Sequence, residues 1–464
     1  MPSGTGRRTR RPKRSVLPRA LPPAVLLAAL PLAVLLAALR AATSNAQTPG
    51  TFAPRDTLVT RLEVGASADY TNEVYYLDAL VDTTFLQRQR FQTPEARFAG
   101  VLLNAVEGSR GQRRTSYSLT NELSYGDLLR RDALWGSWQT RFAPAWYLFV
   151  TPGFEYRWDR TLGRNLEEYR GTGSARIRRD GGLGGTSAEV GALGEWLHTT
   201  GSDTDFLIDR RVAGVQAALD HLGTGNGDWR IDYVLRARTF PDSAERDHLE
   251  HDTELHTRWG MPGASVLTFD AEAVRRVTRV PAPTSADNFW LGHATGDLVA
   301  FGAGRWSWPT HVEFEVQRYD VEDSLLYFDY RLLRGLTGPR FELRPTWSVG
   351  IGPRAEWLTA DLNPGETYRE LAGVLQFDAL DARSFWTITT ALGRRIYEST
   401  NLSEGDAVSL HTDYTFGELD LFADQGLARH WRLRALANVR VESHDESIDN
   451  GTSLYFSLDL RRLF

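Results

Sequence analysis

The chain of 464 residues has no cysteine and one lysine, Lys13. Without cysteine there can be no disulfide, thiolate metal site, iron–sulfur cluster, cysteine nucleophile or lipidated N-terminal cysteine. Long apolar runs are missing after Ala46, where Ala145 to Val150 is among the longest. A helix that crosses a membrane needs ~20 mostly apolar residues, and a mean hydropathy of -0.36 is too polar for a bundle of them. Basic charge is also short, with 53 Lys+Arg against 59 Asp+Glu. Eight of those bases (Arg7, Arg8, Arg10, Arg11, Lys13, Arg14, Arg19 and Arg40) lie in the first 46 residues, which carry no acid. The remainder is acidic and lacks the net basic face that phosphate backbones require, so nucleic acid is not expected as a partner.

Residues 1–46 have three zones: a basic stretch to Arg19, an apolar stretch from Ala20 to Leu39, and a small-residue end at Ser44-Asn45-Ala46. That layout predicts a secretory signal peptide cleaved after Ala46. An uncleaved anchor helix is disfavoured by Pro22, Pro23 and Pro31 inside the apolar zone. The domain expectation is a signal peptide over 1–46, a short periplasmic segment over 47–56 and one domain over 57–464.

Beyond the leader, period-two alternation recurs. Trp229, Ile231, Tyr233, Leu235 and Ala237 interleave with Arg230, Asp232, Val234, Arg236 and Arg238. Trp431, Leu433, Ala435, Ala437, Val439 and Val441 interleave with Arg432, Arg434, Leu436, Asn438, Arg440 and Glu442. Successive side chains of a strand point to opposite faces, so each segment has an apolar face and a charged one. About 20 such segments can be counted, many near 13–17 residues, far above the usual strand length of ~5–6. Trp146 and Trp158 share a face; at ~3.3 Å per residue and a tilt near 45° they are about 28 Å apart in height. Trp347 and Trp357 give about 23 Å, close to the ~25 Å apolar band between the aromatic girdles of a membrane barrel. Trp229, Trp259, Trp306, Trp386 and Trp431 complete the expected girdle set.

Connections alternate too. Longer polar ones are expected at 71–94, 159–167, 199–205, 240–246, 279–287, 359–366, 398–406 and 443–451. Tighter turns fall at Gly223 to Gly227, Gly260 to Gly263, Gly302 to Gly304 and Asp424 to Gly426. Gly126-Asp127 is too short for the long-loop side, which suggests a misassigned hairpin there. Short turns on one side and long loops on the other are the pattern of outer-membrane barrels.

The chain ends Leu454-Tyr455-Phe456-Ser457-Leu458-Asp459-Leu460-Arg461-Arg462-Leu463-Phe464. Leu454, Phe456, Leu458 and Leu460 form the outward set, and Arg462 is an exception whose long stem can snorkel. With the leader and the alternation, this closing strand resembles that of Gram-negative outer-membrane β-barrel proteins of the porin-like kind. The resemblance implies that Phe456, Leu458, Leu460 and Phe464 form a signal read by the outer-membrane assembly machinery, with periplasmic chaperones as further partners.

The fold expectation is therefore all-β: a closed antiparallel transmembrane β-barrel of about 18–20 strands, in contact with outer-membrane lipids. Closure follows from physics, because hydrocarbon leaves unpaired sheet edges no partner. The charged faces then line the lumen. Expected lining residues are Arg170, Arg176, Arg178, Arg230, Asp232, Arg236, Arg238, Asp270, Glu272, Glu313, Glu315, Arg432, Arg434, Arg440, Glu442, Asp459 and Arg461, with Glu63 also among the acids.

The densest ionisable run, Asp247 to His256, places His248, Glu250, Asp252, Glu254 and His256 in one row on a strand. At ~6.6 Å per step the row is too spread for one metal and is expected to be a solvated acidic row. Ser409, His411 and Asp413 suggest a triad, but the same spacing is too long to activate a serine. Gly182 to Gly185 is expected to be a turn rather than a nucleotide loop. No cofactor, metal or catalytic activity is expected.

Functionally, the sequence predicts a porin-like channel for passive passage of small polar or charged solutes through an Arg/Asp/Glu-lined lumen. A sealed structural or surface-binding barrel is the alternative, and a lipid-acting barrel enzyme a minor one. Only Gln47 to Asp56 separate the leader from the first strand, which argues against a folded plug, and 71–94 is the candidate for an inward constriction.

Overall fold

A computed structural model describes residues 57–464 except 83–84, 111–114, 161–164, 183, 202–208, 224–226, 280–287, 303, 322–327, 362–363, 399–411 and 446–448. The expected signal peptide and the 47–56 segment lie outside the described residues, as do Ser409 and His411.

The alternating segments all become strands of one sheet. The first are β1 (Thr57–Asp82), β2 (Phe85–Arg110), β3 (Thr115–Gly126), β4 (Leu129–Ala143), β5 (Trp146–Asp159), β6 (Leu166–Arg179) and β7 (Thr186–Gly201). Next come β8 (Arg210–Leu222), β9 (Gly227–Thr239), β10 (His248–Gly260), β11 (Val266–Thr278), β12 (Phe289–Phe301), β13 (Trp306–Tyr319) and β14 (Tyr330–Thr337). The last are β15 (Arg340–Arg344), β16 (Trp347–Ala360), β17 (Tyr368–Asp381), β18 (Ser384–Tyr397), β19 (Tyr414–Ala428), β20 (Trp431–His444) and β21 (Gly451–Leu463).

Apart from β14 and β15, each strand pairs antiparallel with its sequence neighbours, and β21 returns to β1 from Glu63↔Leu463 to Asn72↔Leu454. The sheet is therefore closed. Both β14 and β15 lie between β13 and β16, so they fill one position broken at Gly338-Pro339, and the barrel has 20 strand positions. Proline cannot donate to the ladder. A Cβ on Gly338 would meet the carbonyl of Ile351, and one on Gly352 the carbonyl of Thr337, so the backbones approach here only because both residues are glycine.

Side chains converge on the concave side of a closed sheet, and ion pairs that reach over an intervening strand identify that side. Arg178 reaches Asp220 at 3.0 Å from β6 to β8, and Arg340 reaches Asp378 at 2.7 Å from β15 to β17. Arg395 reaches Glu356 at 3.2 Å from β18 to β16. The apolar face is convex, with Leu392 74%, Leu371 64% and Ile351 62% exposed. In water that surface would be costly; against acyl chains it is the face a barrel presents.

Three sequence expectations need correction. Residues 71–94 are not a loop: β1 and β2 continue as a ladder from Thr71↔Glu95 to Leu80↔Leu86. Asp424 to Gly426 lie within β19, and the turn falls at Arg429-His430, because Asp424 is needed inside to accept from Arg432 and Arg434. Gly126-Asp127 is no misassignment: β3 and β4 pair from Thr115↔Thr140 to Tyr125↔Arg130, closing on the long-loop side through a tight turn. Gly182 and Gly184 have φ of 71° and 73°, the left-handed turn conformation that glycine adopts freely.

Candidate functional site: the charged lumen

Period two in the sequence puts one set of side chains of every strand on the concave face, and cross-strand register decides which of them meet. From β6, Arg170 contacts Glu195 at 2.8 Å and Arg176 contacts Glu189 at 3.1 Å. From β9, Arg230 holds Asp232 at 2.6 Å, Arg236 holds Asp252 at 2.8 Å and Arg238 holds Glu250 at 2.8 Å. Arg432 and Arg434 share Asp424 at 2.6 and 3.0 Å, and Arg440 holds Glu442 at 2.8 Å. Arg461 holds Asp459 at 2.8 Å and approaches Glu63 at 3.6 Å, tying the closing strand to the first. The expected arginines are thus partners of carboxylates rather than free rows. A recess of about 450 Å³ beside Arg170, Arg210, Arg236, Arg238 and Glu195 opens in this basic sector.

A second sector has the opposite character. On β10 to β13 the concave face carries Asp252, Glu254, Asp270, Glu272, Asp297, Glu313 and Glu315, with His256, His293 and His311. His256 bonds Asp270, His311 Nδ1 lies 2.8 Å from Asp297, and His293 Nε2 lies 3.2 Å from Glu313. Glu313 also accepts from Arg334 at 2.8 Å, and Glu315 accepts from the Tyr330 hydroxyl. Glu272, from the expected lining set, and Glu254 have no hydrogen bond or ion pair among the described residues.

Between β16 and β20 the concave face is filled. Tyr397, Tyr414, Phe416, Ala372, Val374 and Ala391 form a buried cluster. Arg395 lies 3.9 Å over the Tyr368 ring and Arg440 4.7 Å over Phe416. Arginine guanidinium stacks on aromatic faces while keeping its hydrogen bonds to acids, which lets charge and apolar rings share one wall. Sequence reasoning passed over Tyr368, Arg395 and Tyr414, although their concave parity was available from it.

By register the nine expected girdle tryptophans all lie on the convex face, and Trp306 is 52% exposed. The indole of Trp158 donates to Asn165 at 2.6 Å and that of Trp386 to Gln425 at 3.1 Å. Trp196, Trp290 and Trp308 share that face and were missed, though the same period marks them. Arg462, on the convex face, lies 5.8 Å over Trp431 and 4.6 Å over Phe464. In the suggested triad, Asp413 instead accepts the backbone N–H of Tyr397 at 2.8 Å.

A closed 20-position sheet with an apolar convex face and a charged interior defines a transmembrane β-barrel of the bacterial outer-membrane type. Among solved structures, the chain is similar to the copper transporter OprC, with 10% identity over 90% of this chain and 82% of that one and a TM-score of 0.55. The siderophore receptor PirA from Pseudomonas aeruginosa matches at 11% identity over 89% and 81%, TM-score 0.49. The alcaligin outer membrane receptor FauA from Bordetella pertussis matches at 9% over 86% and 76%, TM-score 0.48. No family model matches the chain. No curated protein matches it either. The likeness to OprC carries the fold of Gram-negative outer-membrane β-barrel proteins. The porin-like, passive channel expected from the sequence is corrected here, since the solved barrel matched at a TM-score of 0.55 is a copper transporter and not a passive porin.

Proposed function

We propose that this barrel is an outer-membrane uptake protein that takes up a particular cationic or metal-bearing solute by binding it inside the lumen. The observation that carries the reading is the one-sided charge of the interior. Carboxylates and histidines are concentrated on β10 to β13, while the arginines of β6 and β9 are already paired with acids. Rings of acidic side chains favour cations at close quarters, and paired arginines do not oppose them at long range. The copper transporter OprC among the structural neighbours moves a metal; for this chain such cargo is the proposal. Phe456, Leu458, Leu460 and Phe464 are proposed to guide insertion through the assembly machinery, and the convex tryptophans to sit at the two lipid interfaces.

The test is uptake in vesicles carrying the folded barrel. Saturable entry of a divalent cation or its chelate, with little entry of a neutral sugar of the same size, supports the reading. Entry that rises linearly with concentration and ignores charge overturns it.

A further inference from the structure

The geometry points to a divalent transition-metal binding site on the concave face, with His293, Glu313 and Glu315 as its ligands. Both carboxylates come from β13 and the imidazole from β12, where His293 stands directly opposite Glu315. One ligand atom from each of the three falls within 4.8 Å of the others. Ligands at ~2.0–2.2 Å around a tetrahedral ion stand about 3.3 Å apart, so rotamer closure of about 1.5 Å completes the set.

The carboxylates are already oriented. Arg334 holds one Glu313 oxygen at 2.8 Å and leaves the other 3.2 Å from His293 Nε2, while Tyr330 donates to Glu315. Outer partners of this kind are what hold first ligands in place around a metal. One imidazole with two carboxylates and no thiolate suits zinc, manganese or ferrous iron rather than a cuprous ion.

A second, independent feature lies beside it. Glu272 is the cross-strand neighbour of His293 on one side and of Glu254 on the other. Like charges directly opposite on a sheet repel, and neither acid makes a hydrogen bond or a close ion pair among the described residues. Asp252, only 7% exposed, joins them with its Oδ1 buried and unbonded while Oδ2 takes Arg236. Asp252, Glu254 and Glu272 likewise offer oxygens within 4.8 Å of one another. A buried, unsatisfied carboxylate oxygen facing a like-charged pair is stabilised by a cation, which gives the ion a second stop next to the first.

The site deepens the uptake reading but is tested apart from it. Zn²⁺ is titrated calorimetrically into the full barrel in detergent micelles, and Mn²⁺ is followed by electron paramagnetic resonance. The expected result is binding near one equivalent or more, weakened at least ~10-fold by His293→Ala and by Glu313→Gln with Glu315→Gln. Asp424→Asn, which removes a lumenal acid bound to Arg432 and Arg434, should leave it unchanged. Heat-modified gel mobility confirms that each variant is folded, and Zn²⁺ should raise the melting midpoint of wild type but not of the Gln double variant. Equal Zn²⁺ affinity in wild type and in His293→Ala, or no binding by folded wild type, overturns the site. Should folded wild type bind Zn²⁺ with no saturable uptake, the transport reading fails alone; saturable uptake without Zn²⁺ binding removes the site alone.

Discussion

Arg354 on β16 reaches Glu418 on β19 at 3.0 Å, spanning the width of β17 and β18. It also holds Glu370 at 3.1 Å, and its guanidinium lies 5.6 Å from the Phe416 ring. One cation thus ties three strands together from the inside, across a span of four strand positions. Hydrogen bonds to charged groups contribute ~1.5–3 kcal/mol when a partner is left behind. Arg354→Met is expected to lower folding stability by roughly 2–3 kcal/mol. Arg331→Met, whose pairing with Asp361 is half exposed, should cost under about 1 kcal/mol. Urea unfolding of the barrel in lipid vesicles compares the two, and equal losses would contradict the interior network.

The assignment of faces makes a sharper forecast. Leu392 is 74% exposed at the middle of β18 on the convex side, and Leu436 is 37% exposed on the concave side of β20. Leu392→Arg should cost about 2–4 kcal/mol, the known penalty for arginine at the bilayer midplane, whereas Leu436→Arg enters a wet interior and should cost much less. Folding free energies in vesicles decide, and a reversed order would mean the faces are exchanged.

At the rim, the Arg275 guanidinium forms two hydrogen bonds to Asp320, at 2.7 and 2.6 Å, and holds that carboxyl below the usual aspartate range. A carboxyl whose folded pKa is depressed contributes stability above its unfolded value, and that contribution is lost as pH falls through the folded one. Asp320→Asn should therefore remove a small stabilising contribution present above about pH 4, and with it the loss of stability that wild type shows as pH falls below that value. In NMR titration the Asp320 carboxyl should return to its ordinary range in Arg275→Gln.

The broken strand position depends on two glycines. Gly352→Ala would drive a methyl into the Thr337 carbonyl and should cost about 1–3 kcal/mol through overpacking. Gly373, whose Cβ would meet nothing within 4 Å, should accept alanine with little change. Thermal melting monitored by circular dichroism separates the pair, and equal tolerance would show the β14–β16 approach to be looser than described.

Much of this protein is written in its local order. Residues two apart in a strand must share a face, so Trp229 and Arg230 announced opposite sides before any fold was known, and the demand for paired edges in lipid required closure. The same parity placed Arg170, Glu313 and Arg461 inside. What local order does not carry is register. His293, Glu272 and Glu315 lie on three strands and become neighbours only through the hydrogen-bond ladder, which a sliding strand would remake with other partners. For the same reason the hairpin over 71–94 looked like a loop: its polar side chains describe exposure, while the ladder that holds it belongs to the backbone. Period and composition thus determined a barrel with a charged interior; only the closed sheet decided which charges neutralise one another and which acids are left to share a cation.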